Sequence, residues 1–229
     1  MASRDDVFVN GYYYHVFNKN IDPLKIFNDD KALYAEFIDT FTYYRSDNSC
    51  PRLSLFKKME KEIKDTKWTK ILDQSSFKVD ILSFCLMPNH YHFLISQLKN
   101  NGIVSFMSNI INSLTRFYNI KNKRKGPIFL PQFKSRRIYS IEQLVYTSRY
   151  IHTNPYAGET IKEKNEIFSY PYSSIKAFMR NGENRFKINT DVILDFFNND
   201  SEDYKDFILK NAEDQKMREI VKYTEKWRS

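Results

Sequence analysis

The chain has 229 residues, of which 41% are hydrophobic and 16% aromatic, and its formal net charge is +8. This size and composition fit one well-buried domain with an appended helical segment and exclude an intrinsically disordered chain. Five glycines, seven prolines and two cysteines indicate neither long flexible linkers nor a disulfide framework. Because the sequence has no apolar signal region and no apolar run of about 20 residues, we expect a soluble, cytoplasmic protein that does not enter a membrane.

The first elements in chain order are a strand, a helix and an insertion. The segment GYYYHVFNKN, residues 11–20, has the alternating aromatic residues typical of a strand. Apolar residues at helical spacing then predict a helix over Lys31–Tyr44 that packs on the sheet. Residues 45–77 are polar and charged, so we interpret them as an insertion that contains a helix over Leu55–Ile71.

Two short strands follow, VDILSFCLM and HYHFLIS, separated by turn chemistry at Pro88-Asn89. His90 and His92 are two residues apart in the second strand, and strand side chains alternate between the two faces of a sheet. Both imidazoles therefore point the same way and can bind one divalent metal ion. The alternative is a pair of ordinary half-buried strand histidines.

A helix predicted over Val104–Ile120 leads into a segment that holds all the excess positive charge. Residues 116–137 contain eight Lys or Arg and no Asp or Glu, which leaves 28 basic and 28 acidic residues elsewhere. Aromatic residues interrupt this basic cluster, a combination that favours contact with nucleic-acid phosphates and occasional base stacking. The alternative is a solvated loop that only aids solubility.

The segment IEQLVYTSRYIHTNP, residues 141–155, is predicted to be a helix with two different faces. Its apolar stripe is formed by Ile141, Leu144, Val145, Ser148 and Ile151. Its polar face carries Gln143, Thr147, Tyr150 and Asn154. The histidine pair, the basic segment and this helix, in that order, indicate a nuclease.

Tyr150 is the candidate nucleophile because it lies off the apolar stripe, although most tyrosines in proteins are packing residues. Tyr146 also lies outside the stripe and is its competitor. Asn154 follows Tyr150 by one helical turn, which would place its amide beside the phenol. Pro155, however, biases Asn154 toward leaving the helix.

We assign residues 1–180 to one catalytic domain and residues 181–229 to a C-terminal helical extension with two amphipathic helices. We expect this extension to cap the core. A role in DNA recognition or dimer contact is the alternative.

Six strings in this order, YHVFNKNID, CLMPNHYHFLI, SLTRFYN, RKGPIFLPQFKSRRI, YIHTNP and YPYSS, resemble the single-tyrosine HUH transposases. The resemblance is closest to the REP-associated tyrosine transposases and runs from about Tyr12 to Phe178. It implies an α+β fold, with a ferredoxin-like antiparallel sheet and packed helices, that cleaves and rejoins single-stranded, hairpin-bearing DNA. It therefore also implies a nucleoid-associated protein, which acts as a monomer or a homodimer.

By the same resemblance, Tyr150 is the catalytic nucleophile and forms a 5′-phosphotyrosine intermediate. His90, His92 and Asn154 are then the ligands of a Mg²⁺ or Mn²⁺ ion. The DNA-binding residues are Asn18, Lys19, Arg116, Lys134, Arg136 and Arg137. At Lys19-Asn20 the relatives usually have Arg-Gly, so the contact at this turn differs from theirs. The alternative function is that of a noncatalytic hairpin-binding or regulatory protein of the same fold.

Overall fold

A computed structural model describes residues 7–21, 26–27, 30–184 and 186–226 of the chain. Its centre is a four-stranded antiparallel sheet with the strand order β2-β3-β1-β4. The strands are β1 (Tyr13–Lys19), β2 (Val79–Met87), β3 (His90–Gln97) and β4 (Lys134–Arg137). The hairpin between β2 and β3 turns at Pro88-Asn89, as the sequence predicts.

Two helices cover one face of this sheet, and each follows a strand in the chain. Helix α1 (Lys31–Tyr44) follows β1, and helix α4 (Gly102–Lys121) follows β3. Their contact with the sheet is aromatic: Phe93 of β3 lies 5.7 Å from both Phe41 and Phe106 between ring centroids. The connections and strand order give the predicted ferredoxin-like α+β fold, which is confirmed.

Helix α5 (Ile141–Ala157) packs on the opposite face, mainly against β2. Its first turn is capped by Ser140, whose Oγ accepts a hydrogen bond from the Gln143 amide at 3.2 Å. The predicted exit from the helix at Asn154 is wrong, because α5 continues through Pro155 to Ala157. Pro155 lies in the last turn, where it removes only one helical hydrogen bond and the surrounding residues are buried.

The burial of two other residues of α5 departs from the predicted apolar stripe. Ile141, predicted in the core stripe, is 44% exposed, because the first turn of the helix extends past the edge of the sheet's core. His152, off that stripe, is completely buried. A neighbouring C-terminal helix covers this side of α5, and a single-helix pattern cannot show that.

The insertion contains two helices, α2 (Leu53–Phe56) and α3 (Lys61–Ile71), instead of the single helix predicted over Leu55–Ile71. Residues 57–60 separate them. Only the end of α3 is fully buried, at Ile71, so most of this helix lies on the surface. The sequence also gave no indication of β4, a short edge strand inside the basic segment.

The C-terminal residues form α6 (Asp191–Leu194), α7 (Ser201–Lys210) and α8 (Ala212–Lys226). Helices α7 and α8 both pack against α5, with Tyr204 of α7 completely buried. This is the capping arrangement expected from the sequence, and residues 227–229 lie outside the described range. Across the described residues, no helix has the length and apolarity needed to cross a membrane.

Candidate active site

A cleft of about 600 Å³ opens between the uncovered part of the sheet and helix α5. The sheet wall consists of side chains from β1, β3 and β4, and the other wall is the polar face of α5. The lining residues are His15, Phe17, His92, Arg136, Ile138, Gln143, Tyr146, Thr147 and Tyr150. Strand β3 with His92, the basic segment and helix α5 therefore meet at one place.

His90 and His92 lie on the same face of β3, as the alternation of a strand predicts. Their ring centroids are 4.9 Å apart and their planes are perpendicular. His90 Nδ1 is 2.6 Å from Asn89 Oδ1, so this nitrogen is the hydrogen-bond donor and Nε2 keeps a lone pair. His92 Nδ1 is 2.9 Å from His15 Nε2, while His92 Nε2 is buried without a partner among the described residues.

All three histidines of this cluster are held in the neutral form. Burial, together with a smaller effect of the nearby Lys19, lowers the pKa of His90 to about 4. Burial also lowers the pKa of His15 to about 4, with a contribution from Arg136. The pKa of His92 falls well below its usual value because of burial and then its two histidine neighbours. Neutral imidazoles have the lone pairs that metal ligation requires.

The third predicted ligand, Asn154, is buried on α5 one turn after Tyr150. Its Nδ2 has no hydrogen-bond partner within the described part of the chain, so no hydrogen bond of this nitrogen there fixes the side-chain amide. Among the described residues, no three His, Cys, Asp or Glu side chains form a group that could hold a metal. Two imidazoles with an amide oxygen nevertheless fit Mg²⁺ or Mn²⁺ when phosphate and water complete the coordination.

Tyr150 faces the histidines across the cleft. Its ring centroid lies 5.6 Å from that of His92 and 5.8 Å from that of His15, both edge-on. Tyr146 lines the same cleft but makes its ring contact with Phe207 of α7, at 5.5 Å. The geometry therefore supports Tyr150 over its competitor.

Buried hydrogen bonds hold α5 in this position. His152 Nδ1 lies 2.8 Å from the Tyr204 hydroxyl, and its Nε2 lies 2.8 Å from Ser174 Oγ, which in turn accepts a hydrogen bond from the Phe84 amide of β2. Gln215 of α8 donates to the Tyr150 carbonyl at 3.1 Å. The tyrosine helix is thus anchored both to the sheet and to the C-terminal helices.

Three of the six predicted DNA-binding residues lie on the cleft face. Directly opposite residues of an antiparallel pair share a face, and the pairs are Lys19 with His90, Arg136 with His15, and Lys134 with Phe17. Arg136 lines the cleft itself, and Lys134 is exposed. These side chains give the cleft a positive rim.

The other three predicted DNA-binding residues are not brought to the cleft. Asn18 is buried on the helix-covered face, where its amide donates to the Leu130 carbonyl and accepts from the Lys19 amide. Arg137 points to the same face as Asn18, with its guanidinium 3.9 Å from the centre of the Tyr12 ring. Arg116 is exposed on α4, across the sheet from α5. Arg136 and Arg137 belong to strand β4, which was not recognised in the sequence. Strand alternation places their side chains on opposite faces of the sheet.

From the sequence, a satisfied sheet histidine is favoured at position 15 over a histidine near the metal or the DNA, and the structure places His15 in contact with His92. The available signal was its position on β1: residues 15 and 17 share a face, as do residues 90 and 92. The pairing of β1 with β3, which puts Phe17 opposite His92, was not evident from the residues alone.

Comparisons with known proteins agree with these features. Residues 51–154 match the family model described as "Transposase IS200 like", in agreement with the family resemblance of the sequence. The match contains His90, His92, Tyr150 and Asn154 and begins after β1. A search of curated proteins found no match to this chain.

A solved structure of a REP-associated tyrosine transposase bound to a REP hairpin is similar in fold, with a TM-score of 0.53. The sequences are 13% identical, and the similarity covers 84% of this chain and 93% of the other. The two chains therefore share a fold over most of their lengths.

Proposed function

We propose that this chain, whose residues 51–154 belong to the IS200-like transposase family, cleaves and rejoins single-stranded, hairpin-bearing DNA through Tyr150. One observation carries the proposal: the Tyr150 ring lies 5.6 Å from His92, whose Nε2 is buried with no partner among the described residues. A buried, neutral imidazole nitrogen without a partner is costly unless something else binds there. A protein that only binds DNA would not require such a nitrogen beside the tyrosine.

In the first step the Tyr150 hydroxyl oxygen attacks a DNA phosphorus. A bond forms between this oxygen and phosphorus, and the bond from phosphorus to the 3′ oxygen breaks. The phenol loses its proton, and the departing 3′ oxygen gains one to become a hydroxyl. The product is a 5′-phosphotyrosine, which keeps the phosphodiester bond energy. Attack by the 3′-hydroxyl of another strand reverses these events and joins the two strands.

The chain's own residues bind and orient the DNA for this exchange. Arg136 and Lys134 neutralise the backbone phosphates next to the cleft. His90, His92 and Asn154 would hold a divalent ion such as Mg²⁺ or Mn²⁺. When bound, such an ion supplies Lewis-acid polarisation of the scissile phosphate. The anchoring of α5 by His152 and Gln215 keeps the phenol fixed relative to the histidines, which reduces the cost of orienting it.

The test uses the full chain and a pool of labelled single-stranded DNA hairpins with randomised flanks, incubated with Mn²⁺ or with chelator. We expect a covalent adduct on a denaturing gel, formed with Mn²⁺ and absent with chelator. The adduct should be lost in Tyr150→Phe, which should still shift the hairpins on a native gel. Retention of DNA by the wild-type protein without any adduct would instead identify a noncatalytic hairpin binder and reject the proposal.

A further inference from the structure

The cleft beside Tyr150 extends well beyond the histidines, along the first two turns of α5. Gln143, Tyr146 and Thr147 line this extension from the helix, and Arg136 and Ile138 line the cleft from the side of the sheet. The transfer of a phosphoryl group to Tyr150 does not require Gln143, Tyr146 or Thr147. A phosphate placed at Tyr150, however, brings its neighbouring nucleotide into the space they surround.

We propose that this part of the cleft is a binding site for one unpaired nucleobase next to the scissile phosphate, and that Gln143 reads its edge. The inference rests on the proposed function, because it takes Tyr150 as the attacking residue. It assigns sequence selectivity at one nucleotide to the protein itself.

Tyr146 supplies a surface on which a base can stack. Its side chain is 53% exposed, unlike most of the aromatic rings of the core. Its ring contacts Phe207, at 5.5 Å, and the Arg149 guanidinium, 4.8 Å from the ring centre. An exposed ring beside a positive rim is the arrangement used to stack unpaired bases.

A hydrogen bond to the side-chain oxygen of Gln143 fixes the orientation of its amide group. Its Oε1 accepts the backbone amide hydrogen of Tyr139 at 2.8 Å, a contact that belongs to the N-terminal cap of α5. This contact fixes which end of the amide is oxygen, and it leaves the Nε2 group as the donor available to the cleft. A fixed donor favours the carbonyl oxygen that guanine (O6) and thymine (O4) have where adenine (N6) and cytosine (N4) have an amino group.

The rim charges suit the phosphates on either side of such a base. Arg136 lies in the cleft, and Lys134 is exposed two residues earlier on β4. The site thus combines a stacking ring, an oriented donor and positive charge within reach of Tyr150. An unpaired nucleotide of the cleaved strand has the complementary set of groups.

The experiment recovers covalent adducts from the same pool of hairpins with randomised flanks and sequences the attached DNA. For the wild-type protein we expect guanine or thymine to be enriched roughly fivefold at one position next to the cleavage point. In Gln143→Glu one carboxylate oxygen can still accept the Tyr139 amide, so the helix cap remains, but the donor becomes an acceptor. The preference at that position should then move to cytosine or adenine.

Two further variants separate base reading from general effects. Gln74→Glu makes the same change of charge at an exposed residue outside the cleft, and it should keep the wild-type preference. Tyr146→Ala should lower the adduct yield and flatten the preference, whereas Tyr146→Phe should keep both, because stacking needs only the ring. The thermal unfolding midpoint of each variant verifies that it is folded.

The outcomes distinguish this inference from the proposed function. Adducts that form normally in wild type and Gln143→Glu, with the same base preference or none, would overturn the base-binding site and leave the nuclease standing. A wild-type protein that forms no adduct would reject the proposed function, and with it the inference.

Discussion

The two faces of β3 differ sharply although they share one backbone. On one face, Phe93 and Tyr91 pack against aromatic side chains of α1, α4 and the loop before β4. On the other face, His92 contacts His15 and faces Tyr150 across the cleft. Strand alternation thus places a residue of the core directly beside a residue of the candidate site. Substitutions at neighbouring positions should therefore have separable effects on stability and on chemistry.

Among substitutions on the two faces of β3, the largest expected effect on chemistry is that of His92→Ala. Removal of one of two imidazole ligands should reduce metal-dependent adduct formation by roughly 100-fold or more. The free energy of unfolding should change by only about 1–2 kcal/mol, the scale of one lost buried hydrogen bond. Adduct yield on hairpin DNA and urea titration measure the two effects. Adduct formation at the wild-type rate would show that the cleft face does not bind the metal through this residue.

Phe93→Ala, one residue further along the strand, should have the opposite profile. The ring is completely buried, so its truncation leaves a cavity and should lower the free energy of unfolding by about 3–5 kcal/mol. Urea denaturation followed by circular dichroism measures this loss. Once corrected for the folded fraction, adduct formation should stay close to that of the wild type. A loss below about 1 kcal/mol would mean that this face is not the structural core.

His15 tests whether the cleft face is organised beyond the predicted ligands. Its Nε2 lies 2.9 Å from His92 Nδ1. With His15 as the acceptor, His92 Nδ1 carries the hydrogen and the lone pair of His92 Nε2 stays available to the metal. In DNA-free protein, His15→Leu should weaken Mn²⁺ binding by about 10- to 100-fold, as measured by electron paramagnetic resonance. His15→Gln retains an acceptor oxygen and should recover most of the affinity. Equal Mn²⁺ affinity in His15→Leu and wild type would remove the positioning role.

The smallest expected effect compares two adjacent arginines of β4 that point to different faces. Arg136 lines the cleft, whereas the Arg137 guanidinium lies over Tyr12 on the other face. Arg136→Ala should reduce the slope of log affinity against log salt by about 0.7 for single-stranded DNA, the value for one phosphate contact. Arg137→Ala should leave that slope unchanged. The reverse result would place the DNA path on the opposite face of the sheet.

Much of the fold is evident from the sequence because its strands and helices have clear periodicity. The bounds of α1 match the predicted Lys31–Tyr44, and the strand with the histidine pair begins at His90 as expected. Strand β4 was not recognised, because the four residues KSRR have no apolar alternation. An edge strand with two partly exposed faces does not require alternating apolar residues.

The candidate site was predicted only in part, for a related reason. A pattern shows which residues of one element share a face, and it correctly grouped His90 with His92 and Gln143 with Tyr150. It cannot show which element covers that face. The burial of His152 depends on Tyr204, 52 residues later, and the buried position of Asn18 depends on the backbone at Leu130.

The central claim, that Tyr150 is the attacking residue, is tested most directly by locating the DNA on the chain. The wild-type adduct would be digested with nuclease and trypsin and sequenced by mass spectrometry. Cleavage after Arg149 separates Tyr150 from Tyr146, and fragment ions distinguish Tyr150 from Tyr156 in the same peptide. The account predicts a phosphonucleotide on Tyr150. The same modification on Tyr146, or on any other residue, would contradict it.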